Sequence, residues 1–218
     1  MYSNIQGFVG KKASLTEIME AVDCDICLLT ETMTTNVKID GLKCVEINMI
    51  GVRVELAKNN FKRIYTAHMK QVSTSSKDEI RDQFLEIRNQ YKQAAVCNEG
   101  MLLICDANVH VGGSEIPGCK DCQDWGGREF GQMIKDEGLH LLNSEELCEG
   151  TVTRVDPKNG TKSTLDLVIC NEFMIDEVEK MKIDEEELFK PTNYNRKRTT
   201  KTDHHTILLQ IKVNKIAV

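Results

Sequence analysis

Short apolar runs of strand length, each closed by polar residues, constrain this chain more than any other feature. The pattern predicts strands over 26–30, 43–47, 51–57, 63–69, 101–105, 139–142, 151–155, 164–169, 178–183 and 206–213. Only three stretches carry a helical period. In 12–22, Leu15, Ile18, Met19 and Val22 recur at i, i+3, i+4 and i+7. Ser76-Lys77-Asp78-Glu79 is a capping box opening a helix whose apolar stripe is Ile80, Phe84, Ile87 and Tyr91, with Asn98-Glu99-Gly100 as its stop. A third helix, from about 128 to 137, ends at Gly138. Asp156-Pro157-Lys158-Asn159-Gly160 carries the turn residues of a hairpin between 151–155 and 164–169. Many strands with few helices imply packed sheets with helices on the outside.

With 218 residues, 40% of them hydrophobic, the chain suits a single domain over 1–218, with neither a repeat nor a linker. Its apolar runs are far shorter than a bilayer span and no signal segment precedes Ile5, so a soluble, intracellular protein is expected. The nine cysteines are odd in number, and Cys27, Cys105 and Cys170 lie inside apolar runs, which predicts free thiols in a reducing compartment. Cys24 with Cys27 and Cys119 with Cys122 mimic a zinc site, but the pairs are too far apart for a compact zinc module and Cys27 belongs to a strand. A formal charge of −6 argues against a uniformly basic nucleic-acid binder. Arg196-Lys197-Arg198, continuing to Lys201, is a local basic stretch: either a phosphate-attracting loop or a solvated one.

Chemistry gathers where strands end. Asp106 and Asn108, two apart, point the same way if the backbone stays extended, so that one can take a proton from water while the other donates to a phosphoryl oxygen; taken alone, the pair reads rather as the Asx start of a loop. Glu31 closes a buried strand and suits a hard cation, and Asn4 stands as a neutral ligand beside it or as the start of a turn. His204 needs a carboxylate from elsewhere to orient its ring, and Asp166 is the candidate. His110 and His140 read as structural and Trp125 as a packing anchor.

In order, Asn4, Leu28-Leu29-Thr30-Glu31-Thr32, Asp106-Ala107-Asn108-Val109-His110, Ser163-x-Leu165-Asp166 and Thr202-Asp203-His204 resemble the endonuclease/exonuclease/phosphatase superfamily, with its DNase I-like fold. Within it the chain is most similar to the endonuclease domains of non-LTR (LINE-type) retrotransposons and their craniofacial-development-protein-like relatives. The resemblance implies a four-layer α/β/β/α sandwich, lacking a hairpin near 43–51, and Mg²⁺-dependent cleavage of phosphodiesters, with Mn²⁺ as an alternative ion. It implies DNA as partner, a nuclear setting, and a reverse transcriptase in the parent element; oligomeric state is left open. By the same resemblance Asn4 and Glu31 hold the metal, Asp106 activates water, Asn108 stabilises the charged phosphate, Asp166 orients His204, and Asp203 completes the metal and phosphate site. Where the superfamily places a phosphate-contacting Tyr, this chain offers His68 or Tyr65. Alternation sets His68 with Thr66 and Lys70 on the more polar face, so His68 is expected at the cleft, as a weaker contact than a phenol. Two other functions fit the same residues: a phosphatase acting on a small phosphorylated substrate, and a binding module without turnover.

Overall fold

A computed structural model describes the chain except residues 7, 9, 32–37, 40–41, 44–48, 58–59, 194–199 and 213–218. Strand β1 (Tyr2–Asn4) and helix α1 (Lys12–Ala21) lead to β2 (Leu28–Thr30), the short strands β3 (Lys38–Ile39) and β4 (Leu42–Lys43), and the long pair β5 (Met49–Ala57) and β6 (Asn60–His68). Next come α2 (Lys77–Val96), β7 (Gly100–Asp106), α3 (Trp125–Asp136), β8 (His140–Leu141) and β9 (Cys148–Glu149). The remainder holds β10 (Arg154–Val155), β11 (Lys162–Ser163), β12 (Asp166–Cys170), α4 (Glu172–Ile175), β13 (Val178–Ile183), β14 (Thr192–Asn193), β15 (Thr200–Lys201) and β16 (Ile207–Ile211).

Two five-stranded sheets, in the orders β2-β1-β16-β13-β9 and β5-β6-β7-β12-β8, form the centre. Residues 101–105 are all buried because alternate side chains serve different layers. Leu102 and Ile104, with Val168 and Cys170 of β12, meet Tyr2, Met181, Ile183 and Ile207 of the other sheet. Met101, Leu103 and Cys105 face the opposite way, against Ile80, Phe84, Ile87 and Tyr91 of α2 and Phe130 and Met133 of α3. On the far side, Leu15 of α1 packs with Ile5 and Phe8 against Cys27 and Leu29. The result is the expected four-layer α/β/β/α sandwich.

Local chemistry sets most element boundaries. Ser76 caps α2 reciprocally with Glu79, the backbone N–H of each bonded to the other's side chain. Helix α3 starts earlier than its apolar pattern suggests because Asp124 Oδ1 accepts from Gly127 N at 2.6 Å and so caps the helix at 125. The strand expected over 164–169 starts late, as β12 at Asp166, and the partner of β10 around the Asp156–Gly160 turn is instead β11, just before it. The reason is Thr153, whose hydroxyl accepts from Leu165 N at 2.8 Å and Asp166 N at 2.9 Å and thereby satisfies both amides at the bend. Likewise the strand expected over 139–142 shortens to β8 and turns into a 3₁₀ helix, Leu142–Ser144. A fourth helix, α4, has only four residues, too few for a periodic signal. The passage over 43–51 falls largely on 44–48, outside the described residues; its flanks are the β3–β4 hairpin and the start of β5.

Candidate active site

Strand register brings the separated motifs to one end of the sandwich. Strands β6 and β7 run parallel with His68 opposite Asp106, while β12 runs antiparallel to β7 with Asp166 opposite the same Asp106. In the facing sheet β1 and β2 are parallel with Asn4 opposite Thr30, so Glu31 follows at the same level. Asn4 reaches across the sandwich: its Nδ2 donates to Asp106 Oδ2 at 2.9 Å. Glu31 (φ 51°) and Asn108 (φ 50°) both adopt the left-handed conformation, which is uncommon for non-glycine residues. The chain therefore does not leave β7 extended, as simple alternation from Asp106 to Asn108 assumes. The Asn108 kink instead anchors its amide on Met69 O at 2.8 Å, with Nδ2 3.5 Å from His68 Nε2.

Two clusters share Asp106. In the first, His68 Nε2 lies 3.0 Å from Glu31 Oε1 and 3.7 Å from Asp106 Oδ2. The bond to His68 holds the Glu31 carboxyl below its usual range, and the same bond raises the His68 imidazole above its own. Tyr65 faces away, its hydroxyl donating to Gln90 Oε1 of α2 at 3.0 Å. In the second cluster, His204 Nδ1 is 2.7 Å from Asp166 Oδ2 and His204 Nε2 is 3.8 Å from Asp106 Oδ2. Burial, reinforced by the Asp166 charge, pushes Asp106 up to about 7, within reach of proton exchange at neutral pH. For His204, burial disfavours the cation, but the Asp166 carboxylate outweighs it and the imidazole is raised to about 9.

Asp203 is placed differently from its neighbours. Arg154 Nε and Nη2 each lie 2.8 Å from Asp203 Oδ2, and Gln6 donates to Oδ1. Both oxygens are thus engaged, 3.9 Å from His204 Nε2 at the nearer one. Asp203 lies outside the groups of ligand atoms within 4.8 Å of one another, which are Glu31–His68–Asp106 and Asp106–Asp166–His204. No cysteine enters such a group among the described residues. The basic stretch 196–198 lies outside the described residues. His110 pairs with Asp121 at 3.2 Å, and Trp125 packs on the helical face of the core beneath Lys77 and Arg81.

Sequence reasoning missed the residues that support the site. Tyr2 OH donates to Asp166 Oδ1 at 2.8 Å and lies 3.2 Å from Thr30 Oγ1, leaving Asp166 Oδ2 for His204. Its spacing of two from Asn4 on one strand was the available signal. Asn143 ties down β12 through Asp166 O and Val168 N, and Thr202 Oγ1 donates to Asn4 O at 2.6 Å. Arg154 gave no signal in sequence, since a charge in a short hairpin is usually solvated.

Two facing sheets flanked by helices, with polar clusters at the strand ends, define the DNase I-like architecture of endonuclease/exonuclease/phosphatase proteins, and solved structures bear this out. The endonuclease domain of TRAS1, a telomere-specific non-LTR retrotransposon, matches with a TM-score of 0.71 at 17% identity, covering 98% of this chain and 98% of that one. The 3'-5' exonuclease NExo from Neisseria meningitidis gives 0.65 at 13% identity over 96% of this chain and 98% of its own. A Neisseria 3' phosphatase NExo bound to a product DNA hairpin gives 0.66 at 13% identity over 97% and 98%. No protein-family model and no curated protein matches the sequence. At these identities the likeness is one of fold.

Proposed function

We propose that the chain is a metal-dependent phosphodiesterase that nicks DNA, a domain of retrotransposon type whose parent element also encodes a reverse transcriptase. The observation that carries this reading is the sharing of Asp106 between a carboxylate–imidazole cluster and a buried Asp–His pair. Hydrolysis of a phosphodiester needs a base, a cation and a donor for developing charge within a few ångströms of one another, and these clusters would supply the base, the donor and the ligands for the cation.

The donor set fits a divalent cation. The buried oxygens Asn4 Oδ1 and Asp106 Oδ1 have no hydrogen-bond partner among the described residues, and Glu31 stands beside them with its carboxyl held ionised. Asn4 and Glu31 would hold Mg²⁺ or Mn²⁺, and Asp203, itself held by Arg154 and Gln6, would complete the metal and phosphate site. Such an ion supplies Lewis-acid polarisation of the phosphoryl oxygen. Asp106 takes the proton of the attacking water, with Asn4 fixing one of its oxygens and leaving the other free. Asn108 donates its amide to the phosphoryl oxygen that gains charge. Asp166, fixed by Tyr2, orients the His204 ring through Nδ1 so that Nε2 is turned toward Asp106 and the phosphate.

A direct test compares substrates. Purified protein with Mg²⁺ or Mn²⁺ is expected to convert supercoiled plasmid to the nicked form and to release little phosphate from a panel of monoesters. Phosphate release without nicking would replace this reading with that of a small-molecule phosphatase. DNA retention without hydrolysis of either substrate would favour the non-catalytic module.

A further inference from the structure

We infer that His68 is itself a metal ligand, so that the centre takes a first-row transition ion such as Mn²⁺ in preference to Mg²⁺. The inference rests on the metal-dependent reading above and gives its cation site a different chemistry. Sequence alone sets His68 against the phosphate. Its position at the end of β6 aims Nε2 into the carboxylate pair instead, 3.0 Å from Glu31 Oε1 and 3.7 Å from Asp106 Oδ2. Two donors at a right angle around a divalent ion, each about 2.1 Å from it, are about 3.0 Å apart, and a wider angle gives the longer separation. The nitrogen and the two oxygens therefore already have the mutual spacing of ligand atoms that share one ion.

A second observation points to the same place independently. Asn4, fully buried, bonds Asp106 through its amide nitrogen, yet its Oδ1 has no partner; nor does Asp106 Oδ1, on a side chain that is almost fully buried. Unpaired buried oxygens are costly and rare, and here both belong to side chains that touch the His68 cluster. His68 by contrast is 42% exposed, so its ring can adjust to an incoming ion without disturbing the core. Ligand type then selects the metal. Mg²⁺ is hard, favours oxygen and keeps its waters, whereas an imidazole nitrogen beside two carboxylates favours first-row transition ions.

The test reads binding rather than turnover. Electron spin-echo spectroscopy of the Mn²⁺-loaded protein is expected to show modulation from a coordinated imidazole ¹⁴N, and His68→Tyr, whose phenol has no nitrogen, is expected to lose it. Calorimetry is expected to give Mn²⁺ roughly tenfold tighter binding than Mg²⁺ in the parent and a narrower gap in His68→Tyr. Bound Mn²⁺ without imidazole modulation overturns the assignment and leaves the hydrolase reading standing. So does modulation that survives in His68→Tyr, since it would come from His204. A parent protein that binds neither ion overturns the metal-dependent reading itself.

Discussion

His204 and Asp166 show how much one side chain owes to those behind it. The imidazole is almost wholly buried, and chiefly the 2.7 Å contact with Asp166, helped by the charges of Asp106 and Asp203, keeps its raised proton affinity against the cost of burial. Asp166 in turn is held by Tyr2 and by the Thr153 hydroxyl on its own amide. His204→Ala removes the ring that would donate to phosphate, so turnover is expected to fall about 10²- to 10⁴-fold while DNA binding persists. Parallel measurements of nicking rate and DNA retention check this; an unchanged rate would contradict the role. At this scale Glu31 and Asp106 stood out because each closes an apolar run, and Asp166 because the His204 ring needs a carboxylate from elsewhere. Tyr2 and Arg154 did not, because an aromatic near a terminus and a lone cation in a hairpin look the same whether or not they meet a carboxylate.

Elements were legible where periodicity was long and caps were explicit. Helix α2 keeps its apolar face and its Ser76–Glu79 box, and β7 is buried end to end. What the chain pattern could not reveal were breaks imposed by tertiary hydrogen bonds, as at Thr153, or by backbone conformation, as at Asn108. Helix α3 shows how tightly one element can sit. A Cβ on Gly127 would lie 1.9 Å from His110 O and 2.9 Å from Val111 N, atoms of the loop that follows Asn108. Gly127→Ala must therefore lift the helix from that loop, and a loss of about 1–3 kcal/mol in urea unfolding is expected. No change would mean that the loop and helix are not in contact. Strands β5 and β6 are fastened by charge: Arg53 and Arg63 both bond Glu99, at 2.6 Å in their closest contacts, and hold its carboxyl at about 2. A carboxyl depressed by folding contributes stability that is complete above its ordinary value near 4.5 and is lost as pH falls toward 2. Glu99→Gln is thus expected to melt lower than the parent at neutral pH and to converge with it between pH 4.5 and 2. A difference in melting temperature that stays constant across that window would contradict the pairing.

For the whole molecule, the sandwich architecture was legible from strand number and from the ordered motifs, whereas the convergence of those motifs depends on register, which no single segment encodes. The net charge of −6 leaves any attraction for DNA to local cations. No helix among the described residues is long and apolar enough to cross a membrane. The central claim is that Asp106 stands at a metal-dependent phosphodiesterase centre. Its most direct test is the nicking of supercoiled plasmid by the parent and Asp106→Asn side by side, with divalent metal and with chelator. The parent is expected to nick only with metal, and Asp106→Asn, folded to the same extent, to be slower by about 10²-fold or more. Nicking by the parent that survives chelation, or equal rates in the two proteins, would contradict the account.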